Sequence, residues 1–470
     1  MIGTVVIDVA VVLAICTLGA LISFLVINNP SRLELFSLSF PLGAGALTWS
    51  LFILGWIGIP FRLEIVFFVW LISISIITVL IRRSQIRGHA KRSSDKISSI
   101  RKVTGLEKTL FAILLIIFFV SIFISIGRSY SEYDAVAMWA PKGYGIAFEE
   151  SLWGARWGNH GFSYPLNMHF LIGIFKLASD DILPGSKIIF PLFFISLIAG
   201  VVAFLNNRGV EPRITALSAV ILATVPTLFV HSTIGYANLP MGVYLVIGVL
   251  WGVEGIFRES KRYLVLSGLL LGFTAWTIVE GGLFVFIAVS AIVCAKTISR
   301  RGRIYFIHWL LPIIVIGGSW VLFYKLFAAS SSSAMGAARL LFDSILQGKL
   351  DLPALRLIFG YARRNVFDPH TWGFVYPLGI FITLLGWKHL LPKKNHYVFS
   401  IFLVMISTGL LALGLIYLRS FVTPGLYDLL KRGFPRYFIS PSIFFFLVAI
   451  LIGGNLISDF SKKYIDEPAK

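Results

Sequence analysis

FAILLIIFFVSIFISIGRSYSEYDAVAMWAPKGYG, residues 111 to 145, decides what kind of chain this is. Its first sixteen residues carry no charge, and with the flanking positions the run reaches 109–127, long enough to cross a hydrocarbon layer. Directly beyond it stand Glu132, Asp134 and Lys142, with Tyr130, Tyr133 and Trp139 among them. Ionisable groups at the edge of a membrane span are solvated, paired or functional.

Composition makes the membrane reading general. Of 470 residues, 57% are hydrophobic and only 13% charged, with mean hydropathy +0.87, whereas soluble domains carry about 25% charged residues. The net charge of +19 does not mark a nucleic-acid binder, because the lysines and arginines sit in short clusters between apolar runs. That arrangement suits cytoplasmic loops against a lipid bilayer. Cys16 and Cys294 lie inside apolar segments, with no spacing for a disulfide or zinc framework. The first run, 4–27, lacks a basic leader and a clear cleavage site, and reads as a retained helix.

Apolar runs near 4–27, 36–58, 64–81, 109–127, 187–205, 214–229, 238–257, 264–279, 281–297, 305–327, 371–387, 398–417 and 437–457 predict an all-α polytopic protein of about thirteen spans. With that count the basic stretches 81–102, 206–213, 258–263, 296–303 and 388–397 and the C-terminal tail share one side, which is then cytoplasmic. The alternation holds only if YPLNMHFLIGIFKLA, 164–178, does not cross. That segment is short and carries Asn167, His169 and Lys176, so it is expected as an interfacial helix. Residues 1–108 then form a three-helix module with a basic linker, followed by a main body at 109–470 with external loops at 128–186, 328–370 and 418–436. The polar residues of interest fall on that external side, which places the site on the outer face of a plasma or inner membrane.

Each has a plain reading beside a chemical one. Asp134 is either a helix cap or a general base able to take a proton from a substrate hydroxyl, with Tyr133 and Trp139 as apolar cover. Lys142 snorkels to the interface or faces an anionic leaving group. Glu280, in TAWTIVEGGLFVF, is a lone carboxylate between two apolar runs, expected in a tight turn; it is a helix-start acid or has a partner or function. Arg436, in FPRYFISP, lies on the side opposite the basic loops and suits bidentate phosphate recognition. Arg363 and Arg364 form a second external pair, solvated or phosphate-binding. Tyr164, Pro165, Asn167 and His169, on the interfacial helix, are expected to shape the floor of the cavity; His169 is structural or a proton relay. Ser330 to Ser333, in 328–370, belong to the longest later external loop, of the kind that forms a lid or binding element or is simply disordered.

YDAVAMW with Lys142 downstream, then SYPLNMHF, GYANLP, a Glu-Gly at a helix turn, and PRYFISP before the last span resemble, in that order, the GT-C membrane glycosyltransferases. Within them the likeness is to the prokaryotic protein-mannosyltransferase and aminoarabinose-transferase type, over roughly residues 109–457. The resemblance implies transfer of a sugar from a polyprenyl-phosphate donor to an unidentified acceptor at the outer face, with Asp134 as base. Two positions depart from the pattern: Asn238 stands where relatives often have Asp, and Ile278-Val279 precede Glu280 where they often have Lys-Asn. No Cys/His metal-ligand spacing is read and no cofactor is assigned, while a divalent metal stays open. Direct displacement inverts the anomeric centre, and no nucleotide-binding fold is needed because the lipid phosphate is already an activated leaving group. Two other functions fit a multi-spanning chain: a polysaccharide polymerase or ligase acting on a lipid-linked glycan, and a transporter of a lipid-linked substrate. A transporter is disfavoured by the lack of paired mid-helix charges or an inverted repeat, Asp8 being the clearest carboxylate inside a span.

Overall fold

The computed structural model describes residues 2–27, 29–88, 104–157, 161–180, 185–299, 305–327, 351–420 and 425–464, and all regular structure among them is helical. Most of the basic linker (89–103), the serine-rich part of the expected lid (328–350) and residues 421–424 of the last external loop lie outside the described residues. Ten of the described helices are long and apolar enough to cross a membrane, so the chain is a multi-pass membrane protein.

Thirteen spans are expected from the sequence, and three of them are replaced by shorter helices. The run at 214–229 is cut at Thr224-Val225: one helix ends at Ala223 and Pro226, which lacks an N–H, starts the next. The run at 264–279 ends as a helix at Ala275, after 15 residues. That at 371–387 keeps 11 residues, Val375–Leu385, because Gly373 takes a left-handed φ of 61° just before it. At 1.5 Å per residue none of the three alone covers the roughly 30 Å of hydrocarbon.

The chain divides into two compact units. The first comprises 1–161, 166–223 and 232–236; the second comprises 162–165, 224–231 and 237–470. In the first lie α1 (Ile2–Ile27), α2 (Arg32–Trp56), α3 (Leu63–Gly88), α4 (Gly105–Ile126), α5 (Ala140–Phe148), α6 (Asn167–Ser179), α7 (Ile189–Asn207) and α8 (Pro212–Ala223). The opening three helices thus share a unit with the segments that follow the linker. Ser31 opens α2 with a capping box, its side chain accepting from Glu34 N while Glu34 accepts from Ser31 N at 2.7 Å. Helices α1 and α2 approach at backbone distance: a Cβ on Gly19 would lie 1.8 Å from the Ser39 carbonyl oxygen, and one on Gly43 1.9 Å from that of Ile15. This is the small-residue contact by which membrane helices gain packing without help from water.

Helix α6 starts at Asn167, three residues later than the sequence suggests, and runs for 13 residues, too short to cross. Asn167 through Phe175 are all buried, so the helix is packed on every side over its first turns. Its polar residues point into protein: Asn167 Oδ1 accepts from Thr48 Oγ1 of α2 at 2.8 Å.

In the second unit lie α9 (Pro226–His231), α10 (Asn238–Phe257), α11 (Lys261–Ala275), α12 (Val279–Ser299), α13 (Phe306–Phe327), α14 (Leu352–Val366), α15 (Pro369–Trp372), α16 (Val375–Leu385), α17 (His396–Ser420), α18 (Leu426–Tyr437) and α19 (Ile439–Tyr464). Helix α10, apolar on most of its circumference apart from Asn238 and Glu254, is the unit's core, buried from Asn238 to Ile256. It packs on α11, which packs on α13, while α12 and α19 both pack on α17. Ser267 ties this core together, donating to the Gly248 carbonyl at 2.6 Å and accepting from Trp309 Nε1 at 2.9 Å.

Candidate functional site

In the first unit the quoted stretch folds as a turn of π-helix, residues 135–139, running into α5. The cause is local. Pro141 has no N–H, so the α-register bond to the Ala137 carbonyl cannot form, and Ala140 N–H reaches back to Ala135 instead. Such bulges occur often at functional sites. Asp134, half-buried, stands at the head of this turn with helical φ/ψ and makes no capping bond, so the plain reading of it as an N-cap is not the one observed.

Two other motifs are brought to the same segment. Gly235 of GYANLP lies against Tyr130 and Ala135, where a Cβ would meet the Tyr130 ring at 2.6 Å. His169 of SYPLNMHF stacks on Trp139, ring centroids 4.9 Å apart. Trp139 is buried, whereas Tyr133 is 68% exposed and gives Asp134 less shelter than its sequence neighbourhood suggests. Lys187, in the 3-10 turn Gly185–Ile188 just before α7, anchors the approach, donating to the Arg128 carbonyl at 2.9 Å beside the Tyr130–Ser186 hydroxyl pair.

Lys142 does not snorkel; its side chain is fully buried in α5. Close packing explains this, because glycines at 143 and 145 let α6 and the Gly154 backbone approach without side chains between. Burial pulls the Lys142 ammonium from its ordinary 10.5 down to about 8. The folded chain therefore holds this proton less tightly than the unfolded chain, and stability rises with pH between about 8 and 10.5. Lys142→Met is expected to raise thermal stability at pH 7, by about 3 kcal/mol at most, with the gain shrinking at pH 10. Equal gains at both pH values in detergent melts would mean that the charge is not the cause.

The second unit holds a polar cluster around Glu280. Glu280 sits in the first turn of α12 rather than in a turn before it, and is 7% exposed. Its Oε1 accepts from Arg419 Nη2 at 2.7 Å and from the Tyr437 hydroxyl at 3.2 Å. Arg419 also donates to the Tyr164 hydroxyl and lies over the Tyr437 ring at 5.5 Å. Burial first, and the Glu280 carboxylate second, push the Tyr437 phenol well above its usual value, so it remains a donor. Among the described residues no donor reaches Glu280 Oε2, which is buried.

Arg436 borders the cluster and acts electrostatically on both Tyr437 and His231. His231 donates from Nδ1 to the Thr227 carbonyl at 2.8 Å, and burial pulls its pKa down to about 4, which keeps the imidazole neutral near pH 7. Asn238 is buried at the start of α10. Arg363 and Arg364 lie not on a loop but in the last turn of α14, exposed. Among the described residues no three His, Cys, Asp or Glu side chains assemble as a metal cluster.

Arg419 and Tyr437 are the members of the cluster that the sequence reading passes over. Arg419 had a usable signal: it ends an apolar run on the side away from the basic loops, the same address that singles out Arg436.

No protein-family profile and no curated protein matches the chain. Among solved structures it is similar to the archaeal oligosaccharyltransferase AglB from Archaeoglobus fulgidus, solved with an inhibitory peptide and a dolichol-phosphate, at 12% identity and a TM-score of 0.39 over 78% of this chain and 53% of that one. It is also similar to ArnT from Cupriavidus metallidurans, bound to undecaprenyl phosphate, at 13% identity and a TM-score of 0.39 over 77% and 79%. The chain thus spans about half the length of the archaeal protein. At such values neither likeness bears on what this chain binds, and its function has to be argued from its own residues.

Proposed function

We propose that the chain is a membrane glycosyltransferase that moves a sugar from a polyprenyl-phosphate carrier to an acceptor hydroxyl, with inversion. The observation that carries this reading is the cluster of Glu280, Arg419, Tyr437 and Tyr164 with Arg436 at its border. Arg419 pairs with Glu280 there, and Arg436 stands near enough to act on Tyr437 and His231, so cationic groups gather at the ends of apolar helices. An anionic headgroup on a hydrocarbon tail satisfies both properties of such a place. The ordered motifs of the sequence supply the reaction class.

The acceptor oxygen attacks the anomeric carbon and gives its proton to Asp134 as the bond from that carbon to the phosphate oxygen breaks. The electron pair leaves with the polyprenyl phosphate. Guanidiniums strengthen their hold as that charge develops, which is where preorganised electrostatics contribute most. Glu280, which already accepts two hydrogen bonds from the cluster, fits the role of orienting Arg419 better than that of the base.

Arg436→Ala removes a charge-assisted contact made before and during transfer. Binding of a polyprenyl phosphate to the purified chain should weaken about 10- to 100-fold, the equivalent of 1.5–3 kcal/mol. Unchanged affinity in a radiolabelled-lipid assay would remove Arg436 from the site.

In this reading the catalytic face is external, because the basic stretches 258–263 and 388–397 flank the ends of α10 and α17 that lie opposite Asn238 and Arg419. A cysteine at position 134, in a background lacking Cys16 and Cys294, should react with an impermeant maleimide in intact cells. Labelling only after lysis would reverse the orientation.

A further inference from the structure

Helix α14 presents three different faces. Ala354, Ile358 and Asn365 are buried on the first, where Asn365 accepts from Trp372 Nε1 at 3.0 Å. Tyr361 sets its edge against Phe434 of α18, ring centroids 5.7 Å apart, so the helix is fixed to its unit. On the second face Leu352, Phe359 and Val366 recur every seven residues, one stripe along a helix, and Leu352 and Phe359 are 58% and 57% exposed. Beside that stripe the third face carries Arg356, Arg363 and Arg364, all exposed.

The arginines form no ion pair among the described residues. The nearest acids in sequence are engaged with the backbone: Asp351 caps Ala354 N at 2.9 Å, and Asp368 accepts from His370 N and the Thr371 hydroxyl. An open apolar stripe bordered by uncompensated arginines is the pattern of a helix lying in a membrane surface, its apolar side chains in the acyl boundary and its cations at the headgroups. The apolar surface also continues along the chain. Phe374 is exposed, and beyond it Phe381 and Leu384 project from α16, one of the short apolar helices.

We propose that α14 is a docking surface for anionic phospholipid: Leu352, Phe359 and Val366 enter the bilayer boundary while Arg356, Arg363 and Arg364 hold phosphate-bearing headgroups. This assigns Arg363 and Arg364 to the lipid surface and not to the substrate. Because α14 packs on α18, which ends at Tyr437, headgroup composition acts on an element of the polar cluster.

The test uses the full-length chain with Cys16→Ala and Cys294→Ala and a nitroxide on Phe359→Cys, in nanodiscs of phosphatidylcholine alone or with phosphatidylglycerol. Collisions with oxygen should exceed those with a nickel chelate. Phosphatidylglycerol should lower the chelate-accessible fraction, about fivefold for each arginine engaged, from roughly 1 kcal/mol per cation at an anionic surface. Arg356→Gln, Arg363→Gln and Arg364→Gln together should abolish that lipid response while leaving the chain folded. Three results overturn the proposal: a label as open to the chelate as to oxygen, one shielded from both, as under a second protein copy, or no response to phosphatidylglycerol with the arginines intact.

Discussion

Replacing Asp134 by Asn should lower sugar transfer by about 10²- to 10⁴-fold, the range set by loss of a general base, while leaving donor binding intact. The amide matches the carboxylate in size, so the π-turn from Ala135 to Trp139 has no steric reason to change. Nor is a cap lost, since Asp134 caps nothing. The substitution therefore removes the carboxylate's charge and proton affinity without removing a helix cap. Its signature is a fall in kcat with polyprenyl-phosphate affinity preserved, the opposite of Arg436→Ala, where ground-state binding weakens as well. The assay is single-turnover transfer from a defined polyprenyl-phosphate sugar, with lipid binding measured in parallel. Near-normal transfer by Asp134→Asn would make it a structural acid, and Glu280 would then be the next residue to test as base.

What could be read from the sequence follows the range of the forces involved. Ten spans were legible because crossing hydrocarbon demands an uninterrupted apolar run, which is a local property. The three runs that form shorter helices had the composition but not the continuity; in two of them a hydropathy window averages over Pro226 and Gly373, where the backbone breaks. Glu280 stood out because a carboxylate between apolar runs is conspicuous by itself. Its partners did not, since Arg419 is 139 residues away and Tyr437 is 157, and pairings over such distances leave no local pattern. The burial of Lys142 is illegible for a related reason. Snorkelling is the default for a lysine near an interface, and only the approach of α6 and Gly154 through the glycines at 143 and 145 closes that route. Arg363 and Arg364 read as an external loop pair, solvated or phosphate-binding, because Gly360 and the preceding Pro353 weaken the local helix signal of α14, whose two exposed faces emerge only once its buried face is known.

Glu280→Ala should be the most disruptive change in the second unit. It takes away the acceptor shared by Arg419 and Tyr437, leaving a guanidinium without its carboxylate and a buried phenol without its acceptor. Breaking a fully buried ion pair costs about 3–5 kcal/mol, but Arg419 is 37% exposed and water offsets part of that loss. A destabilisation of about 1–3 kcal/mol is the reasonable expectation. The functional loss should be larger than stability alone explains, about 10²-fold in kcat/KM, because an unanchored Arg419 no longer meets the leaving phosphate in one geometry. Glu280→Gln separates the two effects: the amide oxygen still accepts from Arg419 and Tyr437, so folding should recover more than catalysis. A double-mutant cycle with Arg419→Ala completes the argument. If the pair acts as one device, removing both should be little worse than removing either, with a coupling energy of about 0.5–3 kcal/mol. Strict additivity of the two substitutions in both melting and transfer would mean that the contact does not organise the site.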